Sequence, residues 1–272
     1  MVHLCDMMPK LTIITITYNN LAGLRKTAES VLTQTRNDFE WIIVDGASTD
    51  GTRKYLPEIR QLWQGDCDGL LIISEPDTGI YNAMNKGIRL AHGEYLLFLN
   101  SGDCLAETDT IEQLSQQPII TDIVYGYQYD DINGERVLEQ CIDVPYITFD
   151  TLRNAHIPHQ STLIRLEALL RLGGYDEQYK IISDWAFVMR GLFKNALTIA
   201  RIPQYIAVYD TSGISSNVNK SFQWKERADF LHKEFPFFMP DYERWDRLNS
   251  NGYMKLIHGL RRIKNKLLCH RK

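Results

Sequence analysis

The chain has 272 residues, 44% hydrophobic and 24% charged, with a formal net charge of −4. This is an ordinary globular composition with ample chain for a core; it excludes a membrane-spanning chain, since no stretch reaches the ~18 uninterrupted apolar residues of a span, and no nucleic acid partner is expected. The five cysteines (Cys5, Cys67, Cys104, Cys141, Cys269) are scattered with no CxxC pair, which gives neither a disulfide framework nor a zinc site and fits a reducing, cytoplasmic setting.

"MVHLCDMMPK" lacks the apolar region and small-residue cleavage site of a signal peptide, and none is expected. Leu11 to Thr17 is an apolar, β-branched run and predicts a buried strand. Asn19 and Asn20 are placed to cap a helix whose apolar stripe is Leu21, Leu24, Ala28, Val31 and Leu32. "FEWIIVDG" predicts a second strand ending at Asp45, and "GLLIISEPD" a third ending near Glu75. "TGIYNAMNKGIRLAHG" predicts a helix with Ile80, Met84, Ile88 and Ala91 on one face and Gly93 as its stop. "EYLLFLN" is a fourth strand. Strands alternating with helices at this spacing predict βαβ units in an α/β, mostly parallel, doubly wound sheet. Further on, a hairpin turns at Asn133-Gly134, "STLIR" is a short strand, and "SDWAFVMRGLFKN" is a helix with Ser183 as N-cap. The expected organisation is one domain over residues 1–215 and a helical extension over 216–272.

In doubly wound sheets ligands bind beyond the carboxyl ends of the strands. The polar residues of this sequence collect there: Thr17, Tyr18 and Asn19, then Asp45, Asp77, and Asn100, Ser101 and Asp103. Asp103 reads either as an aspartate closing its own turn or as a ligand for Mg2+ or Mn2+, which prefer carboxylate oxygen and usually take one or two carboxylates plus substrate phosphates. Asp45 reads as a turn residue or as the acceptor for a ring N–H such as that of uracil. Its surroundings contain no GxGxxG or GxxxxGK[ST], so neither a dinucleotide fold nor a P-loop is indicated. Asp184 reads as a first-turn acid favouring the helix dipole or as a catalytic base. His159 reads as a packed or surface histidine, and Tyr125, Tyr127 and Tyr129 as one half-buried strand face.

"TIITITYNN", "WIIVDGASTDGT", "EPDTGIYNAMNKGI", "LLFLNSGD" and the later "YKIISDWAFVMRGL" stand in an order and spacing that resemble the family 2 glycosyltransferases of the GT-A fold, in the bacterial branch that builds colanic acid, O-antigen and capsular polysaccharides. The resemblance spans roughly residues 10–215. It implies inverting transfer of a single sugar from a nucleotide diphosphate, usually UDP. Thr17, Tyr18 and Asp45 would contact the nucleoside, Asp103 would hold Mn2+ or Mg2+ on the diphosphate, and Asp184 would be the base. Asn19, Asp77, Asn100 and Ser101 complete the expected donor site. The family's Asp-x-Asp-Asp motif is thinned here to Asn100-Ser101-Gly102-Asp103, and its Glu-Asp base motif to Ser183-Asp184. The Q-x-x-R-W signature of processive members is absent. A sugar nucleotidyltransferase would want a glycine-rich basic loop where "TYNNLAGLRK" stands; an inert binding protein on the same fold is the other alternative.

Residues 253–272, "YMKLIHGLRRIKNKLLCHRK", carry seven Lys/Arg and no Asp or Glu, with Leu256, Leu260, Ile263 and Leu267 at helical spacing. This reads as a basic helix docked on the acidic body or lying on an anionic membrane surface. The resemblance adds a saccharide or polyprenyl-diphosphate-linked acceptor held in the inner leaflet, hence a peripheral location on the cytoplasmic membrane.

Overall fold

The computed structural model describes residues 11–117, 119–139, 142, 147–213 and 220–250. Its centre is β1 (Leu11–Thr17), buried along its whole length. A strand covered on both faces is the signature of a parallel sheet with helices above and below. Two of the three hydroxyls that this burial encloses are paired: Thr12 donates to Glu40 at 2.6 Å, and Trp41 Nε1 donates to Thr15 at 3.0 Å.

β2 (Glu40–Asp45) and β3 (Leu70–Ser74) lie beyond β1 on one side, and β4 (Tyr95–Phe98) on the other, all parallel. Thr17, Asp45 and Ser74 fall in one row, so three strands end at the same level. The crossovers are α1 (Leu21–Leu32), α2 (Thr52–Leu62) and α3 (Ile80–Leu90). Asn20 caps α1 by accepting from Gly23 N at 3.0 Å.

Past β4 the sheet becomes mixed. It is nine-stranded in the order β3-β2-β1-β4-β8-β6-β9-β5, with β7 attached to β6. β8 (Thr162–Arg165) runs antiparallel to both β4 and β6 (Ile123–Ile132). β6 runs parallel to β9 (Ile199–Asp210). β7 (Glu135–Leu138) closes the hairpin on Asn133-Gly134, both at positive φ, and β5 (Cys104–Leu105) pairs antiparallel with β9. The α/β sheet is thus parallel in its first four strands and antiparallel or mixed thereafter. α4 (Thr110–Ser115), α5 (Phe149–Asn154), α6 (Leu166–Arg171) and α7 (Ser183–Lys194) complete this region.

Two cap assignments differ from expectation. α3 stops at Leu90 because Ala91 turns extended, and Gly93 serves instead as a donor to Thr12 Oγ1 at 2.9 Å. Ile182 occupies the cap position of α7; Ser183 is already helical, and its hydroxyl accepts from Asp176 N at 2.6 Å. Of the three alternating tyrosines, Tyr125 is buried, while Tyr127 and Tyr129 are half-buried and pack on Tyr205, at 5.2 and 4.5 Å between ring centroids.

The chain divides into a unit over residues 1–223 and a second over 224–272. The second contains most of α8 (Lys220–Glu234) and all of α9 (Met239–Ser250), joined through Phe230, Phe235 and Phe238 and a 2.7 Å contact between His232 Nε2 and Glu243. The boundary expected at residue 215 and the basic segment 253–272 both lie outside the described residues. Among the described residues no helix is long and apolar enough to cross a membrane.

The β6–β9 pairing slips between Tyr125 and Tyr127, where β9 supplies extra residues, Pro203 among them. A bulge is where a strand tolerates proline, which cannot donate to the ladder. Gly126 faces this bulge, and a Cβ there would stand 2.4 Å from the backbone oxygen of Gln204, which has no rotamer by which to retreat. Gly126→Ala is therefore expected to cost about 1–3 kcal/mol, as overpacking does, and to lower the thermal unfolding midpoint by roughly 2–4 °C per kcal/mol; differential scanning calorimetry checks it.

Candidate active site

Beyond the ends of β1 and β4 lies a cleft of about 490 Å³. Thr17, Tyr18, Asn19 and Asn20 line it from the loop after β1, Asp77, Gly79 and Ile80 from the entry to α3, and Asn100, Ser101 and Asp103 from the turn after β4.

The turn after β4 is fixed by its backbone. Leu99 N and Ser101 N continue the pairing with β1 by donating to Ile14 O and Ile16 O at 2.9 and 3.0 Å. Asn20 and Ser101 bind each other reciprocally, side chain to backbone oxygen, at 3.0 Å both ways. The Thr27 hydroxyl, on α1, accepts from Gly102 N at 2.9 Å and donates to Asp103 O at 2.7 Å. Gly102 has φ +113, a conformation only glycine adopts without strain. A Cβ on it would also stand 2.5 Å from Asp210 Oδ2, so glycine is required twice over.

What that glycine admits is a second carboxylate. Asp210, at the end of β9, donates its backbone N–H to Asp103 Oδ1 at 2.9 Å. Asp103 is 4% exposed. Burial pushes its carboxyl up to about 7; the Asp210 charge adds to this, against the hydrogen bonds from Asp210 N and the Gln160 side chain. Two further atoms in the cleft, Asn100 Oδ1 and Thr17 Oγ1, are buried with no partner among the described residues. A buried polar group without a partner costs about 1–3 kcal/mol, so these acceptors ask for a ligand.

Paired carboxylates and an amide oxygen are hard donors and fit Mg2+ or Mn2+. Among the described residues no group of three His, Cys, Asp or Glu is assembled. A cation held here by Asp103 and Asp210 would take its remaining oxygens from substrate and water, as Mg2+ commonly does.

The other expected residues divide. Tyr18 is 65% exposed, its ring unpacked at the mouth. Asp77 accepts from Gly79 N at 2.9 Å, and a Cβ on Gly46 would meet its Oδ2 at 2.5 Å and Tyr18 Cδ2 at 3.1 Å, so Gly46 lets the two approach. Asp45 is fully buried and is not among the cleft residues. Its carboxylate accepts from the hydroxyls of Ser48 and Ser74 at 2.5 and 2.6 Å. Ser48 Oγ in turn accepts from Asn19 N at 2.7 Å, so Asp45 acts on the cleft by holding Asn19 in its positive-φ turn.

Asp184 lies outside the cleft too. It is half-buried in the first turn of α7 beside His159 and Trp185. His159 is a packed histidine, stacked on Phe98 at 5.1 Å and hydrogen-bonded through Nε2 to the Tyr175 hydroxyl at 2.9 Å. Its neighbour Gln160 lines the cleft, so one dipeptide touches both neighbourhoods. Gln160, Tyr209, Asp210, Ser212 and Gly213 are among the cleft residues that the sequence left unmarked. The available signal was a strand ending in a carboxylate, "IAVYD", the same pattern that marks Asp45.

The sequence model described as glycosyl transferase family 2 matches residues 12–167. Over 242 residues the chain is 32% identical to an uncharacterised glycosyltransferase of Mycobacterium tuberculosis, covering 84% of this chain and 86% of that protein. Over 222 residues it is 32% identical to a PGL/p-HBAD biosynthesis glycosyltransferase of Mycobacterium bovis, covering 79% and 82%. Among solved structures it is similar to S. aureus TarS 1–349 in complex with UDP, at 20% identity and a TM-score of 0.60 over 84% of this chain and 72% of that one. A second likeness is to a Pyrobaculum calidifontis mannosyltransferase in complex with GDP-Man and Mn2+, at 20% identity and a TM-score of 0.52 over 76% and 60%. Those two share the fold, and the sequence matches carry the assignment: the chain is a glycosyltransferase and belongs to glycosyl transferase family 2.

Proposed function

We propose that the chain transfers one sugar, with inversion, from a UDP-sugar to a saccharide hydroxyl in the synthesis of a cell-surface polysaccharide. The observation that carries this reading is the cleft whose lining joins two aspartates, Asp103 and Asp210, and two buried unpartnered oxygens to an exposed tyrosine ring. A nucleoside diphosphate answers each part: a base to lie against Tyr18, hydroxyls for Thr17, Asn19, Asp77, Asn100 and Ser101, and phosphates for a cation held by Asp103 and Asp210. The bound UDP of TarS and the cell-envelope names among the relatives support it.

The reaction displaces a diphosphate from an acetal carbon. Asp184 takes the proton of the acceptor hydroxyl as that oxygen bonds to the anomeric carbon, and the bond from that carbon to phosphate oxygen breaks with its electron pair leaving on UDP. When bound, Mn2+ or Mg2+ neutralises charge on the departing phosphates. Attack from the face opposite the leaving group inverts the centre. No second carboxylate is needed, unlike the paired acid and base of glycoside hydrolysis.

The acceptor is a saccharide carried on a polyprenyl diphosphate, met at an anionic membrane surface through residues 253–272. Each basic residue near such a surface contributes ~1 kcal/mol. The colanic acid, O-antigen or capsule assignment belongs to the same reading.

Three experiments test it. Asp184→Asn is expected to lower transfer by about 10²–10⁴-fold, the usual contribution of a positioned base, while calorimetry finds UDP affinity unchanged; joint loss of binding and activity overturns the role. Mn2+ is expected to tighten UDP binding in the native protein but not in Asp103→Asn, with a partial effect in Asp210→Asn; isothermal titration with and without the metal reads this. The full chain is expected to co-sediment with anionic liposomes at low salt, and a chain ending at Asn251 to stay in the supernatant.

A further inference from the structure

Asp184 heads a polar cluster that the donor cleft does not use. Its Oδ1 accepts from the Tyr81 hydroxyl at 2.9 Å. The phenol therefore donates to a carboxylate in the first turn of α7. Tyr81 is buried, the second residue of α3, and its neighbours Gly79, Ile80 and Ala83 form part of the donor-cleft wall.

The titratable and charged groups around Asp184 come from four places. Tyr81 reaches it from α3, His159 from the turn before β8, and Tyr175 from the loop ahead of α7. On α5, Asp150 and Arg153 engage each other at 2.9 Å. His159 and Tyr175 share their own hydrogen bond at 2.9 Å, which leaves the Tyr81 hydroxyl as the group bonded to the Asp184 carboxylate. Burial and then the Asp184 charge push the Tyr81 phenol well above its ordinary value, so it stays protonated and remains a donor wherever the carboxylate is ionised.

A carboxylate with one oxygen held by a phenol has a fixed plane and one free oxygen. We propose that Tyr81 is a positioning residue for the transfer reaction: its hydroxyl holds Asp184 Oδ1, leaves Oδ2 to receive the acceptor proton, and ties the base to the helix that walls the donor cleft. The inference rests on Asp184 being the base.

The test is a titration of the Asp184 carboxyl by carbon-13 NMR in aspartate-labelled protein, its resonance assigned by its loss in Asp184→Asn. In Tyr81→Phe the midpoint is expected to rise, because a hydrogen bond to the charged form of the carboxylate is lost. The acid limb of UDP release from UDP-GlcNAc, the probe donor, moves with it, and UDP affinity stays as in the native protein. A folded Tyr81→Phe protein with an unmoved midpoint overturns the proposal. If that variant does not fold, fluorotyrosine in place of Tyr81 keeps the shape and strengthens the donor; the midpoint then falls, and an unmoved one again overturns the proposal. An Asp184→Asn protein that releases UDP at the native rate overturns the base reading and this role with it. An inactive Asp184→Asn protein beside an unmoved Tyr81→Phe midpoint removes the role of Tyr81 alone.

Discussion

The cleft depends on one buried carboxylate, Asp103, bonded to the backbone of a second aspartate, Asp210. Burial withdraws the water that would stabilise the Asp103 charge, and the Asp210 charge adds to the effect. Asp103 responds by holding its proton up to about 7. The geometry survives because the surroundings over-determine it. Gly102 gives up its side chain to make room, Thr27 clamps the turn from α1, and Asp210 offers its backbone N–H against the charge. A divalent cation bound beside Asp103 would offset the charge that burial disfavours.

Much of the parallel half was legible. β1, β2 and β4 are short apolar runs buried on both faces, β3 is an equally apolar run at the sheet edge, and such runs look the same in sequence as in space. Asp103, Asn100 and Ser101 were visible because they follow a strand end directly, and Tyr18 and Asn19 for the same reason. Asn20 announced itself as a cap by residue type alone.

What stayed hidden depends on partners far away in the chain. Asp210 meets Asp103 only through the sheet order, which puts β9 beside β5, and no local pattern encodes that order. The bulge at Pro203 breaks the alternation that would otherwise mark β9 as a long strand. Asp45 was recognisable as a carboxylate at a strand end, but Ser74, which closes on it together with the local Ser48, could be placed only once β3 stood beside β2. The Tyr81–Asp184 bond joins helices separated by 103 residues and leaves no trace in either segment.

The carboxylate pair has a temporal meaning as well as a spatial one. Asp103 and Asp210 are 107 residues apart, and the strand that delivers the second is the last of the sheet. Contacts so distant in sequence form late, because loop closure must precede the gain. A chain leaving the ribosome has the first strands of the cleft wall long before it has the second aspartate. The acidic corner of the cleft thus comes into being only with the closing of the sheet.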